Sequence, residues 1–401
     1  MTMTTPTSAN EALAPLGRAA LDDAAFSELV RTITGDPAAR PVFEATRVQP
    51  VPYVIGTPTT EALLQVRGKA LLPGGETRDW SCFVKQIQSA KWWTGIEMLP
   101  PPMRAQFIRE IPWRLEIAVL TSPSLAALLP DGLRLTTSYR IDEYDDERAT
   151  LWMEYVEPAP GPWGLERFEH AANLLGRLSA RRQMHLVEPL LPREAVTTPG
   201  VGLRYYVNGR VLFGTVPAIA DGATWQHPVV KAAVEACGES AMRADLLALA
   251  EQLPAVMDGL DRLPQCYQHG DASPQNLLVP VDAPDEFVAI DWGFDCPQAV
   301  GFDLGQLLVG LAHAGELAPE ALPAVHRVIL RAFCEGLDDE GLTVSARDVE
   351  YGYLGSLLAR ATFTALPLEC LAQPESAALV GLFAHRIRLT RTLIDLTRTL
   401  V

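Results

Sequence analysis

The chain has 401 residues, of which 48% are hydrophobic and 20% charged, and carries a formal net charge of −16. That length is more than one small core serves, so two lobes are expected. The negative charge excludes general binding to nucleic acid or anionic membranes, whose phosphates would repel it.

Residues 1–10 are rich in Thr, Ser and Pro and read as disordered, whereas Leu13, Leu16, Ala20, Phe26, Leu29, Val30 and Ile33 have the spacing of one or two helices ending near Gly35. Short β-rich segments follow at Val48–Gly56, Ala62–Gly68 and Trp80–Ile87. Turn clusters at Gly56–Thr60 and Pro73–Gly75 separate them, which predicts an antiparallel meander. A helix is expected from Met103 to about Val119, then strands at Arg134–Asp142 and Ala149–Val156. After the Pro/Gly-rich stretch Pro158–Pro162 the texture becomes helical: Leu165–Arg182, Val229–Met257, Gly301–Ala314, Ala321–Gly336, Arg347–Leu366 and Glu375–Val401. The expected class is therefore α+β. A helical extension spans 1–45, a β-rich lobe 46–157 and a mainly helical lobe 158–401.

The six cysteines are scattered with no C-x-x-C pair, which excludes a zinc ribbon or disulfide framework. Neither an apolar leader nor a run of eighteen apolar residues is present, so a cytoplasmic protein with no membrane partner is expected. His170, His185, His227, His313, His326 and His385 form no metal spacing, and Ser179 and Ser240 lack a nucleophile-elbow context.

One polar island interrupts the helical half. Gln268-His-Gly-Asp-Ala-Ser-Pro-Gln-Asn-Leu-Leu-Val279 is followed by Phe287-Val-Ala-Ile-Asp-Trp-Gly293. A carboxylate at Asp271 can orient a hydroxyl and take its proton. The neutral oxygen of Asn276 and the anionic oxygens of Asp291 suit a hard cation such as Mg²⁺, whose remaining positions phosphates fill. Taken singly, Asp271 and Asn276 could equally be turn residues bonded to their own backbone.

The stretch His269-Gly-Asp-Ala-Ser-Pro-Gln-Asn276 resembles the catalytic loop, H-G-D-x-x-x-x-N, of the aminoglycoside phosphotransferase and choline kinase superfamily, small-molecule kinases with a two-lobed, protein-kinase-like fold. Ile290-Asp-Trp-Gly293 resembles that family's metal-binding element, and Asp303 in Gly301-Phe-Asp-Leu-Gly305 its recurrent D-L pair. The resemblance implies Asp271 as catalytic base, Asn276 and Asp291 as Mg²⁺ ligands, and His269 and Asp303 as supports of the loop. It extends over roughly residues 45–400 and gives Lys85, inside the third β segment, the role of the phosphate-binding lysine. Glu110 or Glu116 would be the acidic partner of Lys85, with Glu110 favoured by its F-x-R-E setting. Met153, Glu154 and Val156 would meet the adenine.

Two departures stand out: no glycine-rich loop joins the first two strands, and Ser273 replaces the second histidine of the common H-G-D-L-H-P-G-N form. The implied activity is transfer of the γ-phosphate of ATP or GTP to a hydroxyl of a small molecule, an aminoglycoside-like or other antibiotic. A metabolic kinase for a sugar, choline-like or homoserine-like acceptor is the alternative. A pseudokinase regulator is a further one, opposed by the intact Lys85, Asp271, Asn276 and Asp291. Residues 1–157 hold 20 acidic and 15 basic residues, and the remainder 29 and 18, a bias that suits a cationic acceptor. Glu316, Glu320, Asp338, Asp339, Glu340 and Glu369 are candidate contributors, and the segment Leu190–Trp225 could shape the acceptor pocket. A monomer or homodimer is expected.

Overall fold

The computed structural model describes residues 6–191 and 198–400. Part of the expected disordered start, part of the candidate pocket segment and Val401 of the last helix therefore lie outside the described residues. The chain divides into two units, Met1–Ser122 with Leu135–Glu157, and Pro123–Arg134 with Pro158–Val401.

The first unit is built on an antiparallel sheet of β1 (Arg40–Pro50), β2 (Thr60–Leu71), β3 (Thr77–Gln88), β5 (Ser138–Tyr144) and β6 (Arg148–Glu154), in the order β1-β2-β3-β6-β5. A short strand, β4 (Leu133–Leu135), lies outside this sheet. β1 begins and ends earlier than expected. Pro50 and Pro52 cannot donate to a ladder, so the pairing stops there and 51–57 runs on as loop. Strand alternation sends Cys82 and Val84 of β3 to one face, where they pack with Phe26, Leu29 and Val30 of α1 (Asp23–Thr34) and with Trp80 and Trp152. The N-terminal helices thus share a core with the sheet rather than standing apart from it, and Gln86 Nε2 donates to Leu16 O at 3.0 Å. The opposite face carries Phe83, Ile87, Leu151 and Met153 against Ile117.

The single helix expected over Met103–Val119 is two: α2 (Pro101–Glu110) and α3 (Leu115–Thr121). Pro112 lacks an N–H and disfavours helical geometry at Ile111, so the chain turns between them.

The second unit is helical apart from short strands, among them most of β4. β7 (Gln265–Gln268) pairs with β10 (Cys296–Ala299), and β8 (Leu277–Leu278) with β9 (Phe287–Ala289), both antiparallel. Its long helices are α4 (Leu165–Arg181), α5 (Met242–Asp261), α6 (Asp303–Ala314), α7 (Leu322–Asp339), α8 (Ala346–Leu357) and α9 (Ala377–Thr397). Leu246, Val256 and Leu260 of α5 meet Leu358, Phe363, Phe383 and Ile387 in its main core. Among the described residues no helix is long and apolar enough to cross a membrane.

Helices α4 and α7 approach to backbone contact through a pair of glycines. A Cβ on Gly176 would sit 2.2 Å from Phe333 O, and one on Gly336 2.1 Å from Asn173 O. Both obstacles are backbone, so neither can swing aside. Gly336→Ala is therefore expected to lower unfolding stability by about 1–3 kcal/mol through overpacking. Urea denaturation checks this, with Gly381→Ala as the control because nothing lies near its missing Cβ.

Candidate active site

The nesting of the β7–β10 ladder around the β8–β9 ladder makes two loops, 269–276 and 290–295, leave adjacent strand ends together. Leu277 pairs with Ala289, and Ile290 N donates to Asn276 O at 3.0 Å, so Asn276 and Asp291 are neighbours across the hairpin mouth.

The first loop is held by backbone bonds to buried side chains. Asp303, in the first turn of α6 and 1% exposed, accepts from His269 N (2.8 Å) through Oδ2 and from Gly270 N (2.9 Å) through Oδ1. Burial pushes the Asp303 carboxyl up from its usual range, against the pull of His269 and of these two backbone donors. Fully buried His269 bridges the loops: Nδ1 accepts from Asp271 N (3.3 Å) and Nε2 lies 2.9 Å from Ile290 O, contacts met together by the tautomer protonated on Nε2. Its ring also lies 4.6 Å from that of Trp292. Gly270 has φ +84°, and a Cβ there would meet Phe294 O at 2.2 Å, so only glycine lets the two loops approach this closely.

Within this frame Asp271 is three-quarters buried, and each of its carboxylate oxygens accepts one hydrogen bond. Asn276 Nδ2 donates to Asp271 Oδ2 (3.1 Å) and to Asp271 O (2.9 Å), and Arg360 Nη2 donates to Asp271 Oδ1 (2.9 Å). With its nitrogen facing Asp271, Asn276 presents its amide oxygen on the other side. Asp291 has left-handed backbone torsions, φ 60° and ψ 60°, a conformation that costs a non-glycine residue about 1–3 kcal/mol and collects at functional sites. Asn276 and Asp291 together offer the oxygen set that a hard cation takes. Among the described residues no group of three or more His, Cys, Asp or Glu side chains is placed to hold a metal.

The second loop is fixed by an ion pair that the sequence did not disclose. Arg182, at the end of α4, donates from Nη2 to Asp295 Oδ2 at 2.6 Å, with side chains 0% and 2% exposed. The Arg182 guanidinium lies 5.5 Å from the Trp292 ring centroid. Burial raises the Asp295 carboxyl and Arg182 pulls it back. Asp295, four residues past Asp291 in the same loop, was the available signal.

In the first unit Lys85 Nζ lies 2.6 Å from Glu116 Oε2, and their side chains are 7% and 6% exposed. The expectation favouring Glu110 is corrected. Pro112 ends the first helix, leaving Glu110 on α2 partly exposed beside Gln106, whereas Glu116 enters the first turn of α3 facing the sheet. Met153 is 4% exposed and accepts from Thr136 Oγ1 through sulfur (3.7 Å). The Glu154 carboxylate accepts from Thr137 N (3.1 Å) and its own N–H donates to Thr137 O (2.8 Å), while Val156 is buried two residues beyond the strand.

Several acidic candidates for cation binding already have cations or amides of their own: Glu340 meets Arg177 and Arg181 (both 2.8 Å), Asp339 meets Asn173 (3.3 Å), and Glu320 meets Arg388 (3.6 Å).

A model of the phosphotransferase enzyme family matches residues 124–340, more than half of the chain. No protein of curated function matches. Among solved structures, the AMP-bound spectinomycin phosphotransferase APH(9)-Ia is similar at a TM-score of 0.51 and 10% identity, covering 94% of this chain and 98% of that one. A putative aminoglycoside phosphotransferase from Ralstonia eutropha scores 0.47 at 12% identity, covering 98% and 99%. The aminoglycoside phosphotransferase APH(3'')-Id from Streptomyces rimosus scores 0.37 at 14%, covering 85% and 100%. The α+β, kinase-like architecture is thus shown, with its antiparallel sheet towards the N-terminus and its helices towards the C-terminus.

Removing one partner of a buried ion pair leaves an uncompensated charge, a loss of about 3–5 kcal/mol. Glu116→Gln is accordingly expected to reduce stability by that order, and Glu110→Gln by less than about 0.5 kcal/mol as an ordinary surface change. Equal effects in denaturant titrations would show that the pairing is wrong.

Proposed function

The chain belongs to the phosphotransferase enzyme family, and from there we propose that it moves the γ-phosphate of ATP, or of GTP, to a hydroxyl of a small molecule of the aminoglycoside or another antibiotic class. The observation that carries this reading is the loop pair: Asp271, Asn276 and Asp291 converge at the mouth of one hairpin, inside the matched segment.

In this reading Asp271 receives the acceptor hydroxyl. Its oxygens are occupied on one side each, by Arg360 and Asn276, and an anionic oxygen retains capacity for a further donor. That fixes the direction from which the hydroxyl approaches and gives its proton a place to go. The Asn276 oxygen and the Asp291 carboxylate would hold Mg²⁺, which would neutralise charge on the transferring phosphate. Lys85, held in place by Glu116, binds the nucleotide phosphates, and Met153, Glu154 and Val156 line the position of the base. His269 and Asp303 keep the loop in shape without touching substrate. The acidic balance after residue 157, 29 acidic against 18 basic residues, favours a cationic acceptor by long-range attraction.

The purified protein, given Mg²⁺ with ATP or GTP and a panel of hydroxyl compounds that includes aminoglycosides, is expected to yield a product heavier by one phosphoryl group. Asp271→Ala should cut kcat by about 10²–10⁴-fold while nucleotide affinity stays within a few-fold. Asp291→Asn should weaken the Mg²⁺ dependence of nucleotide binding. Failure of the wild type to bind any nucleotide in a Mg²⁺-dependent way, measured by calorimetry, would overturn the proposal.

A further inference from the structure

Arg360 lies 89 residues from Asp271 in sequence, yet its guanidinium closes on the loop at two points. Nη2 donates to Asp271 Oδ1 at 2.9 Å and Nη1 donates to Gly270 O at 2.7 Å. The group is itself immobilised. Gln306 of α6, in the amide orientation that satisfies both its atoms, accepts from Arg360 Nε at 2.8 Å, and the Tyr206 ring centroid lies 5.7 Å from the guanidinium carbon. Tyr206 OH donates to Thr364 Oγ1 (3.3 Å), whose own hydroxyl donates to Arg360 O (2.8 Å). The residue sits in a π-helical stretch, Leu358–Thr362, that follows α8. Such a widened turn shifts the side chains after it relative to a regular helix and recurs at functional sites.

An arginine with its donors used on a neighbouring amide, a backbone carbonyl and a carboxylate is not waiting for a ligand; it is holding something still. The held group is Asp271. The loop 269–276 contains no lysine or arginine of its own to pair with Asp271. Arg360 brings the cation from another element.

We propose that Arg360 is the positioning residue of the transfer reaction, keeping the Asp271 carboxylate in one orientation between its own guanidinium and the Asn276 amide. The inference rests on the phosphotransferase reading above. Arg360 meets the loop at Gly270 O and at the Asp271 carboxylate, and it acts through Asp271. Loss of the guanidinium frees the carboxylate to rotate about its Cα–Cβ bond, and a misplacement of about 1 Å at a reacting group can cost about 100-fold in rate.

The test uses the full-length chain with Arg360→Ala, Arg360→Lys, Gln306→Leu and the double variant Asp271→Ala/Arg360→Ala, read by steady-state kinetics and by crystallography. Arg360→Ala is expected to lower kcat by about 100-fold with KM for nucleotide nearly unchanged. Arg360→Lys should recover part of that loss, methylguanidine added to Arg360→Ala should restore some turnover, and Gln306→Leu should give a milder defect of the same kind. The double variant should be no slower than Asp271→Ala, because residues that act as a unit are not additive. In the Arg360→Ala crystal structure Asp271 should have left its Asn276 contact. An unchanged kcat, a multiplicative loss in the double variant, or an unmoved Asp271 would each overturn the inference. If Arg360→Ala does not fold, Arg360→Lys and Gln306→Leu carry the same readings. Absence of turnover by the wild type with every acceptor would count against the phosphotransferase reading alone, and the crystallographic arm would still decide the positioning role.

Discussion

A loop of eight polar and small residues cannot be held by apolar packing, so its shape depends on where its backbone donors find partners. Here they find the Asp303 carboxylate, which takes the N–H groups of His269 and Gly270 from the first turn of α6. A buried backbone N–H left without a partner costs about 1–3 kcal/mol, and the Asp303 carboxyl spares the loop two such losses. The two bonds also tie the loop to a helix whose other residues, Leu304, Leu307 and Leu308, are fully buried. Everything downstream inherits this anchor: the tautomer of His269, the close pass of Gly270 against Phe294, and the direction of Asp271.

The second loop is fixed by a different means to the same end. Arg182 and Asp295 are both out of water, so each needs the other, and their pairing ties the stretch after Asp291 to the end of α4. A buried pair of this kind adds little net stability but leaves little freedom, because any rearrangement strands a charge. The Lys85–Glu116 pair of the first unit follows the same logic on a sheet face otherwise lined by Phe83, Ile87, Leu151 and Met153. Charge fixed in apolar surroundings is the recurring device of this protein. It suits a chemistry that asks mainly for orientation and charge compensation.

The grouping of oxygen-bearing residues at the candidate site was legible because it is local. Asp271, Asn276 and Asp291 fall within one hairpin of about two dozen residues, and the turns and short strands that present them are set by neighbours in sequence. Asp303 was legible for the same reason. What was misjudged or missed lay beyond that range. Glu110 and Glu116 are six residues apart on what reads as one amphipathic run, and only the break at Pro112 decides which reaches Lys85. Arg182 looked like one more basic residue at a helix end. Arg360, a lone cation in Leu357-Leu-Ala-Arg-Ala-Thr362, was a local hint like Asp295, since a charge in such a run calls for a partner. The N-terminal helices gave no sign that they would share a core with the sheet.

The sequence by itself determined most of the element types, though not the helices between Val201 and Gln226, and the oxygen-bearing residues of the loops, because periodicity and turn chemistry act between residues close in the chain. The tertiary structure decided the partners: Glu116 for Lys85, Asp295 for Arg182, and Arg360 for Asp271. Those choices depend on how helices and strands far apart in sequence come to lie together. Desolvation makes each choice count, since a buried charge must meet its counter-charge and the loops can adopt only the arrangement in which all of them do.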